Sequence, residues 1–382
     1  MKNIPTIIDI ECTGATNGTK GNPFSVPNRA VLIGIREKSV NTILNQPSFS
    51  DCESLLKNKF LVGFNIKFDL HWISRYVKLE PKHIWDCQYA EYCIQRQQVP
   101  YISLDDCLVK YGYPLKLDIV ASEYWNKGLD TDEVPYDILK EYLEGDLQRT
   151  QWVYEAQLNY LADKPDLYRL ICLGNNDLIN TYYMEQSGIV YDQTSSIIEG
   201  NRLLDRITEI DSILDSHLPN STRVNWNSND HISAVLYGGV IKERYRESYE
   251  QTLKSGIVKQ KERWSIREVE LPALVSPLKG TEVLKQGYYQ VNEDTLIKLR
   301  NKATKKAKQI VDLLLERAKL EKAVSSYYHG LPKLIETMKW PDNVIHGQLN
   351  HAITRTGRIA SKSPNQQNFP EEIGKFCTSR YT

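Results

Sequence analysis

Near its N-terminus the chain reads PTIIDIECTG, residues 5–14. The apolar start of this stretch predicts a buried strand, in which Asp9 and Glu11 share one face because side chains alternate along a strand. Ile8 and Ile10 belong to the other face. Two acids on a buried strand need a partner, and a divalent cation is a suitable one. Because an Asp-x-Glu pair also occurs on exposed strand edges, the pair alone does not decide the function.

Strands and helices alternate through the first part of the chain. The predicted strands are residues 5–10, 29–37 and 60–64, and the predicted helices are residues 66–77, 102–111 and 135–161. Asn65 and Ser103 stand where N-caps are expected, and Pro135 suits the start of a helix. Such alternation is typical of an α/β domain, which we place at residues 1–162.

The remaining residues, 163–382, are predicted to be mostly helical. Helices are predicted over residues 167–186, 193–218, 227–236 and 293–328. Residues 242–290 are polar and rich in turn residues, and they predict an irregular β-containing insertion. Residues 298–308 carry six Lys and Arg side chains. On a helix, such a run is typical either of a solvated face or of contact with phosphates.

Two further segments place acids on predicted helices. NIKFD, residues 65–69, puts Asp69 one turn into a helix that follows a strand. An acid at that position also favours the helix dipole, so Asp69 alone has a purely structural explanation. YLEGD, residues 142–146, puts Tyr142 and Asp146 four positions apart and therefore on one helix face. An ordinary amphipathic helix would show the same spacing.

The composition bounds the class of protein. The 382 residues suggest two or three domains, and 41% hydrophobic with 25% charged residues is ordinary for a globular protein. Lys+Arg and Asp+Glu balance at 48 each, which does not exclude nucleic acid because local clustering of charge decides that. No apolar run predicts a membrane span. Seven cysteines without a CxxC pair predict free thiols in a reducing cytoplasm.

The three acidic segments together resemble the DEDD exonuclease superfamily. The resemblance covers residues 1–162 and is to the Tyr-containing branch, which includes the proofreading domains of family A DNA polymerases. The His-containing branch would need His at position 141, where this chain has Glu. The resemblance implies a ribonuclease H-like α/β fold and a two-metal 3′–5′ exonuclease. The implied catalytic residues are Asp9, Glu11, Asp69, Tyr142 and Asp146.

The same resemblance assigns expected roles within this site. The four acids would hold two Mg²⁺ or Mn²⁺ ions, and Tyr142 would position the attacking water and help to deprotonate it. Phe64 and Asn65 would lie beside the terminal nucleotide of a single-stranded 3′ end. The expected products are nucleoside 5′-monophosphates.

A second signature lies near the end of the sequence. TRTGR, residues 354–358, and PNQQNFP, residues 364–370, resemble the most specific motif of family A DNA polymerases, especially bacteriophage ones. Residues 176–189, 227–239, 287–296 and 320–332 resemble other segments of that family. The resemblance implies a thumb and the N-terminal part of a palm over residues 163–382. A phage origin would place the protein in the cytoplasm of an infected bacterium.

This second resemblance also implies contacts with primer–template duplex. The expected DNA-binding residues are Lys302, Lys305, Lys306, Arg355, Arg358, Asn365, Gln367 and Asn368. The lysines would meet phosphates. The Arg, Asn and Gln side chains of the motif would donate to minor-groove acceptors that all base pairs share, which checks shape without reading sequence.

The polymerase motifs that carry catalytic acids are not found in these 382 residues. Family A polymerases place one catalytic Asp in Asp-Tyr-Ser-Gln-x-Glu or a variant and another in His-Asp-Glu, with a Lys and a Tyr on the fingers helix. We therefore expect no polymerisation by this chain alone and expect a second polypeptide that supplies fingers and catalytic palm. A natural split gene and a disrupted one both fit.

Three functions follow from these expectations. The first is the proofreading exonuclease and DNA-binding part of a split or truncated family A DNA polymerase. The second is a stand-alone 3′–5′ exonuclease. The third is a non-catalytic DNA-binding subunit that completes a polymerase, against which the intact set of acids counts.

Overall fold

The computed structural model describes residues 4–14, 16, 18–19, 21–115, 119–219, 222–252, 258–285 and 287–381. Its strands are β1 Pro5–Cys12, β2 Ala30–Glu37, β3 Val40–Asn45, β4 Phe60–Gly63, β5 Ile84–Asp86, β6 Ile189–Tyr191, β7 Gly239–Thr252, β8 Val258–Leu271, β9 Val283–Lys285, β10 Tyr288–Tyr289, β11 Val344–Ile345, β12 Gln348–Asn350, β13 Ala360–Lys362 and β14 Cys377–Thr378. Its α-helices are α1 Phe49–Leu56, α2 Ile66–Ile73, α3 Cys87–Ile94, α4 Leu104–Tyr111, α5 Ile119–Glu123, α6 Tyr136–Leu161, α7 Pro165–Ser187, α8 Gln193–Asp215, α9 Asn229–Tyr237, α10 Glu293–Arg300, α11 Lys305–Ala323, α12 Gly330–Met338 and α13 Glu371–Gly374. Within these ranges no helix combines the length and apolarity that a membrane span requires.

A five-stranded mixed sheet organises the first part of the chain, in the order β3–β2–β1–β4–β5. Its central strand β1 is antiparallel to β2 and parallel to β4. The strands predicted at residues 5–10, 29–37 and 60–64 are all present. The edge strand β3 was not predicted, because its exposed and half-buried residues give no clear apolar alternation.

Side chains of β1 alternate between two core clusters. Ile8 packs with Leu70 of α2 in one cluster, and Ile7 packs with Leu147 of α6 in the other. Both isoleucines are at most 2% exposed, so β1 is covered on both sides. Because side chains alternate along a strand, the acids at positions 9 and 11 lie on the side of β1 that α6 covers.

The three helices predicted in this region are present, and their ends differ by a few residues. α4 begins after Ser103, whose side chain accepts the backbone N–H of Asp106 in a capping box. α6 begins directly after Pro135. α2 is shorter than the predicted 66–77, because after the Ser74 cap the N–H groups of Arg75 and Tyr76 donate to carbonyls three positions earlier instead of four.

The chain forms two compact units, Met1–Gln193 with Leu331–Thr382, and Thr194–Gly330. The first unit extends beyond the boundary placed at residue 162, because α7 adds Tyr182 to the core cluster that contains Ile8. In the same unit, β6 pairs antiparallel with both β11 and β14. The boundary at residue 162, as a limit between two functional domains, remains a prediction.

The second unit contains the predicted helices as α8 and α9, and it corrects two other predictions. The polar stretch 242–290 is not irregular over most of its length, because β7 and β8 form an antiparallel ladder of 14 residues each. Cross-strand ion pairs such as Arg246–Glu262 line this ladder. Because polar residues occupy both faces of this ladder, the sequence lacks the apolar–polar alternation that predicts a strand. The predicted helix 293–328 is interrupted between α10 and α11, and Thr304 takes the N-cap position of α11.

Two histidines of the first unit are buried as neutral rings. His346 is 4% exposed, stacks on Phe24 with ring centroids 3.9 Å apart, and donates from Nδ1 to the carbonyl of Glu185 at 2.8 Å. His351 is 9% exposed and lies 2.9 Å from the Thr181 hydroxyl. Burial lowers the pKa of each histidine to about 4.

We therefore expect acid to destabilise the first unit. Both folded-state pKa values lie below the unfolded value of about 6.5, so the unfolded chain binds more protons and the stabilisation, complete above pH 6.5, is lost as pH falls towards 4. Each histidine contributes on the order of 3 kcal/mol to this loss. Thermal unfolding of His346→Gln across this range should show a flatter pH dependence than the wild type, whereas exposed His83→Gln should not. Parallel profiles for all three proteins would contradict the assignment.

Candidate active site

Three acids from two elements meet beside the central strand. Asp9 and Glu11 lie two residues apart on β1, and Asp146 comes from α6. One carboxylate oxygen of each residue lies within 4.8 Å of those of the other two. Glu11 and Asp146 are buried, whereas Asp9 is half-buried. The structure therefore brings together three of the acids that the sequence analysis placed in one cluster.

Asp69 approaches this cluster from α2 and is 3% exposed. Burial raises the pKa of Asp69 well above its usual range, and the charges of Asp9, Asp86 and Glu11 raise it further. The carboxylate of Asp69 is thus close enough for the charges of Asp9 and Glu11 to raise its pKa. It is not one of the three carboxylates whose oxygens lie within 4.8 Å of one another. Like charges at close range oppose ionisation, so a nearby cation is what would let all four acids ionise together.

Tyr142 lies one helical turn before Asp146, so the two side chains leave α6 on the same side. The Tyr142 ring is half-buried and packs edge-on against Trp125, with ring centroids 5.6 Å apart and planes at 84°. One guanidinium nitrogen of Arg149 lies 3.5 Å from a carboxylate oxygen of Asp146. The contact with Trp125 restrains the ring on the same side of α6 as the acid.

The turn between β4 and α2 carries Phe64 and Asn65. Phe64 is half-buried, and Asn65 is exposed in the left-handed conformation with φ 58° and ψ 45°. Asn65 occupies the predicted N-cap position of α2, but its side chain makes no capping hydrogen bond. The backbone N–H groups of Asn65 and Ile66 donate instead to the carboxylate of Asp86, at 3.2 and 3.1 Å. A residue from another strand thus satisfies the first donors of the helix.

Asp86 is a residue of this site that sequence reasoning missed. Its carboxylate also accepts the N–H groups of Gln88 and Tyr89, at 2.8 and 3.1 Å, and so caps α3. Burial raises the pKa of Asp86 to about 6, and the backbone hydrogen bonds oppose that rise. One carboxylate therefore fixes the starts of two helices, one of which carries Asp69. An Asp directly before a helical segment was the available signal, since Asp is a favoured N-cap.

The donor set suits a hard divalent cation. Carboxylate oxygens are the ligands that Mg²⁺ and Mn²⁺ prefer in proteins. Asp9, Glu11 and Asp146 place such oxygens within reach of one ion. Asp69 adds a fourth acid whose ionisation burial and its neighbours oppose, which a cation would reverse. The residues present therefore fit one or two divalent cations.

The lysines predicted to meet phosphates lie in the second unit. Lys302 follows α10, and Lys305 and Lys306 open α11. All three side chains are exposed. Across the described ranges, the structure shows no salt bridge to any of them. They are available to an anionic partner, which is equally true of a solvated face.

The polymerase-like motif forms two segments in the first unit: residues 354–358 lie between the paired strands β12 and β13, and residues 364–370 follow β13. Gly357 has φ 72°, where a side chain would be strained, and its N–H closes a turn onto the carbonyl of Thr354 at 3.1 Å. Gln367 donates to the carbonyl of Ile359 at 3.2 Å and accepts from the N–H of Ser361 at 3.3 Å, so it fixes the second segment to the start of β13. The predicted DNA-contacting side chains of the two segments are all exposed: Arg355, Arg358, Asn365, Gln367 and Asn368.

Two family models match the chain. The model for 3′-5′ exonuclease matches residues 16–163, and the model for DNA polymerase family A matches residues 267–380. The first match begins after β1, so the grouping of Asp9 and Glu11 with Asp146 rests on the geometry above.

The chain is also similar to curated polymerases. The DNA polymerase of Bacillus phage SP01 is 23% identical over 343 residues, which is 84% of this chain and 35% of that protein. DNA polymerase I of Bacillus subtilis is 37% identical over 83 residues, which is 22% of this chain and 8% of that protein. The chain thus spans about a third or less of the length of these relatives.

A solved structure extends the likeness to nearly the whole chain. The POL domain of Pol1 from M. smegmatis, in complex with DNA primer-template and dNTP, gives a TM-score of 0.64 at 16% identity. The match covers 98% of this chain and 54% of that one. At this identity the match establishes the fold alone, which is an α/β domain of the exonuclease type followed by a mostly helical region of the family A polymerase type. The chain therefore carries a 3′–5′ exonuclease domain and, after it, a DNA polymerase family A region.

Proposed function

We propose that this chain is the 3′–5′ proofreading exonuclease and DNA-binding part of a family A DNA polymerase. The observation that carries the proposal is the meeting of Asp9, Glu11 and Asp146 beside the central strand, next to buried Asp69. Four acids confined in this way suit cation-assisted hydrolysis of a phosphodiester bond. A phage origin, and with it the cytoplasm of an infected bacterium, is supported by alignment with the SP01 polymerase along most of the chain.

The site residues divide into three roles in this proposal. Asp9, Glu11, Asp69 and Asp146 would hold two Mg²⁺ or Mn²⁺ ions, which when bound would supply charge stabilisation for the attacking and leaving oxygens and lower the pKa of water. Tyr142 orients the attacking water through its hydroxyl. In addition, Phe64 and Asn65 contact the 3′-terminal nucleotide from the turn before α2. This division explains why acids and a tyrosine occupy neighbouring positions.

We predict metal-dependent digestion of a 5′-labelled single-stranded DNA from its 3′ end. Asp9→Ala combined with Glu11→Ala should abolish digestion, because it removes two cation ligands. Asp146→Ala should lower the rate by about 100-fold or more, since it removes another. Tyr142→Phe should cost roughly 10-fold, because it deletes a single hydrogen bond.

The matched control is Asp137→Ala, which removes an exposed acid from the first turn of the same helix. It should digest the DNA at the wild-type rate. Undiminished digestion by the Asp9→Ala/Glu11→Ala protein would remove these acids from the mechanism. That outcome would favour the third function considered above, a non-catalytic DNA-binding subunit.

We propose that the duplex contacts come from two exposed sets of residues. Lys302, Lys305 and Lys306 are cations with no salt bridge among the described residues, which suits phosphate contact. Arg355 and Arg358, between β12 and β13, and Asn365 and Asn368, after β13, are exposed polar side chains, which suits the minor groove. Gln367 has a second task in this proposal, because its side chain also binds the backbone of Ile359 and Ser361.

Salt dependence tests the lysines. Each phosphate contact releases about 0.9 counterion, so replacing Lys302, Lys305 and Lys306 by Gln should reduce the slope of log affinity against log salt by about two to three. Binding to primer–template duplex is measured by fluorescence anisotropy in EDTA, which prevents digestion. Exposed Lys57, Lys78 and Lys82 of the first unit, replaced together, provide a control of equal charge. Equal slopes for both triple variants would mean that Lys302, Lys305 and Lys306 form only a solvated face.

Polymerisation requires separate treatment. The motifs that carry the polymerase's catalytic acids are not found in these 382 residues, and we propose that they act from outside them, in the same polypeptide or a second one. We expect no primer extension by the Asp9→Ala/Glu11→Ala chain, in which digestion cannot mask synthesis. Extension should appear only when a polypeptide with those motifs is added. Extension by these residues alone would refute this proposal.

A further inference from the structure

Two basic side chains of helix α2 point away from the acidic cluster. Lys67 and His71 are four positions apart and so share one helix face, whereas Asp69 is two positions from each and belongs to the opposite side. Lys67 and His71 are 8% and 5% exposed. The exonuclease chemistry proposed above uses neither of them.

Both side chains meet one carboxylate from another helix. Glu185 of α7 accepts from Lys67 Nζ on one oxygen at 2.7 Å, and its other oxygen lies 2.7 Å from His71 Nε2. Glu185 is itself 5% exposed. It lies outside both family-model matches, which end at residue 163 and begin again at residue 267. The buried ion pair of Lys67 and Glu185 therefore connects α2 to α7, which begins after the exonuclease match and ends before the polymerase match.

The same pair also holds a strand of the polymerase region. The N–H of Leu349 donates to Glu185, and the carbonyl of Leu349 accepts from Lys67 Nζ. Leu349 lies in β12 and pairs with Ser361 of β13. Both backbone groups of a single residue are thus bound by the two members of one buried ion pair. Three separate chain segments converge on the contact.

Such a contact fixes geometry more than it adds stability. A buried ion pair gives little net stabilisation, but removal of one member leaves the other as an uncompensated charge. It also leaves a backbone group of Leu349 without its partner, which has its own cost. Because α2 has only 8 residues, a shift of its Lys67 face moves Asp69 with it.

We propose that Lys67 and Glu185 are positioning residues of the exonuclease site: the buried pair holds α2 so that Asp69 stands at the correct distance from Asp9 and Glu11. This inference rests on the proposed function. It extends the exonuclease site to α7 and β12, which lie beyond residue 163. Lys67 lies on the side of α2 opposite Asp69, so the pair acts through the placement of Asp69.

Mn²⁺ binding measures that placement without relying on activity. Mn²⁺ is titrated into the full chain, and free Mn²⁺ is read by electron paramagnetic resonance at a temperature where each variant is folded. Lys67→Met and Glu185→Gln should bind Mn²⁺ roughly 10-fold to 100-fold more weakly, as is typical when a group that orients a metal ligand is lost. DNA digestion should then need correspondingly more Mn²⁺ for its half-maximal rate. A merely structural role would lower the unfolding temperature and leave the Mn²⁺ affinity of the folded protein unchanged.

The control is the exposed pair of Lys57 and Glu53, which also has an N–O distance of 2.7 Å. Lys57→Met should bind Mn²⁺ like the wild type. If Lys67→Met does not fold, His71→Phe decides, because it keeps an aromatic ring beside Phe24 and Tyr182 and deletes only the contact with Glu185. We expect a smaller loss of affinity in that variant.

The outcomes separate the two proposals. Wild-type Mn²⁺ affinity in folded Lys67→Met, or in His71→Phe where Lys67→Met does not fold, overturns the positioning role and leaves the exonuclease proposal intact. No Mn²⁺ binding by the wild type overturns both.

Discussion

Repulsion among closely spaced carboxylates is the interaction that the elements of the candidate site have to withstand. Asp9, Glu11 and Asp146 place oxygens within 4.8 Å of one another, and Asp69 lies buried close by. Inside a protein the low effective dielectric strengthens such repulsion, so a flexible chain would let the acids separate. Here the central strand and two helices hold them, and each of these elements is fixed by apolar packing on its own account. Precision of this kind requires acids carried on rigid elements.

Two other acids keep those elements in place. Asp86 accepts backbone N–H groups at the starts of two helices, and Glu185 receives Lys67 and the N–H of Leu349. Their charges are satisfied by donors of the fold, which is how a buried carboxylate becomes structural. The carboxylates of Asp9, Glu11 and Asp146 instead lie within 4.8 Å of one another. The contrast separates acids that hold backbone from acids that await a cation, although all of them look alike in composition.

Local patterns account for what the sequence predicted correctly. The apolar alternation of β1 and the four-residue spacing of Tyr142 and Asp146 are visible within a few positions, and so the main strands and helices were found. The contact of Asp86 with Ile66 joins residues 20 positions apart, and that of Glu185 with Lys67 joins residues 118 apart. Neither of these contacts produces a periodic pattern in the sequence. The left-handed conformation of Asn65 and the long β7–β8 ladder were not predicted for related reasons. Tertiary contacts determine the first and cross-strand pairs determine the second.

The most direct test of the central claim is anomalous diffraction from crystals grown in saturating Mn²⁺. The account predicts Mn²⁺ peaks bounded by the carboxylates of Asp9, Glu11, Asp69 and Asp146, with metal–oxygen distances of about 2.0–2.3 Å. It also predicts that Glu185 and Asp86 keep their hydrogen bonds and bind no ion. Saturating Mn²⁺ that leaves the four-acid cluster without a peak, or that settles on other acids instead, would contradict the account.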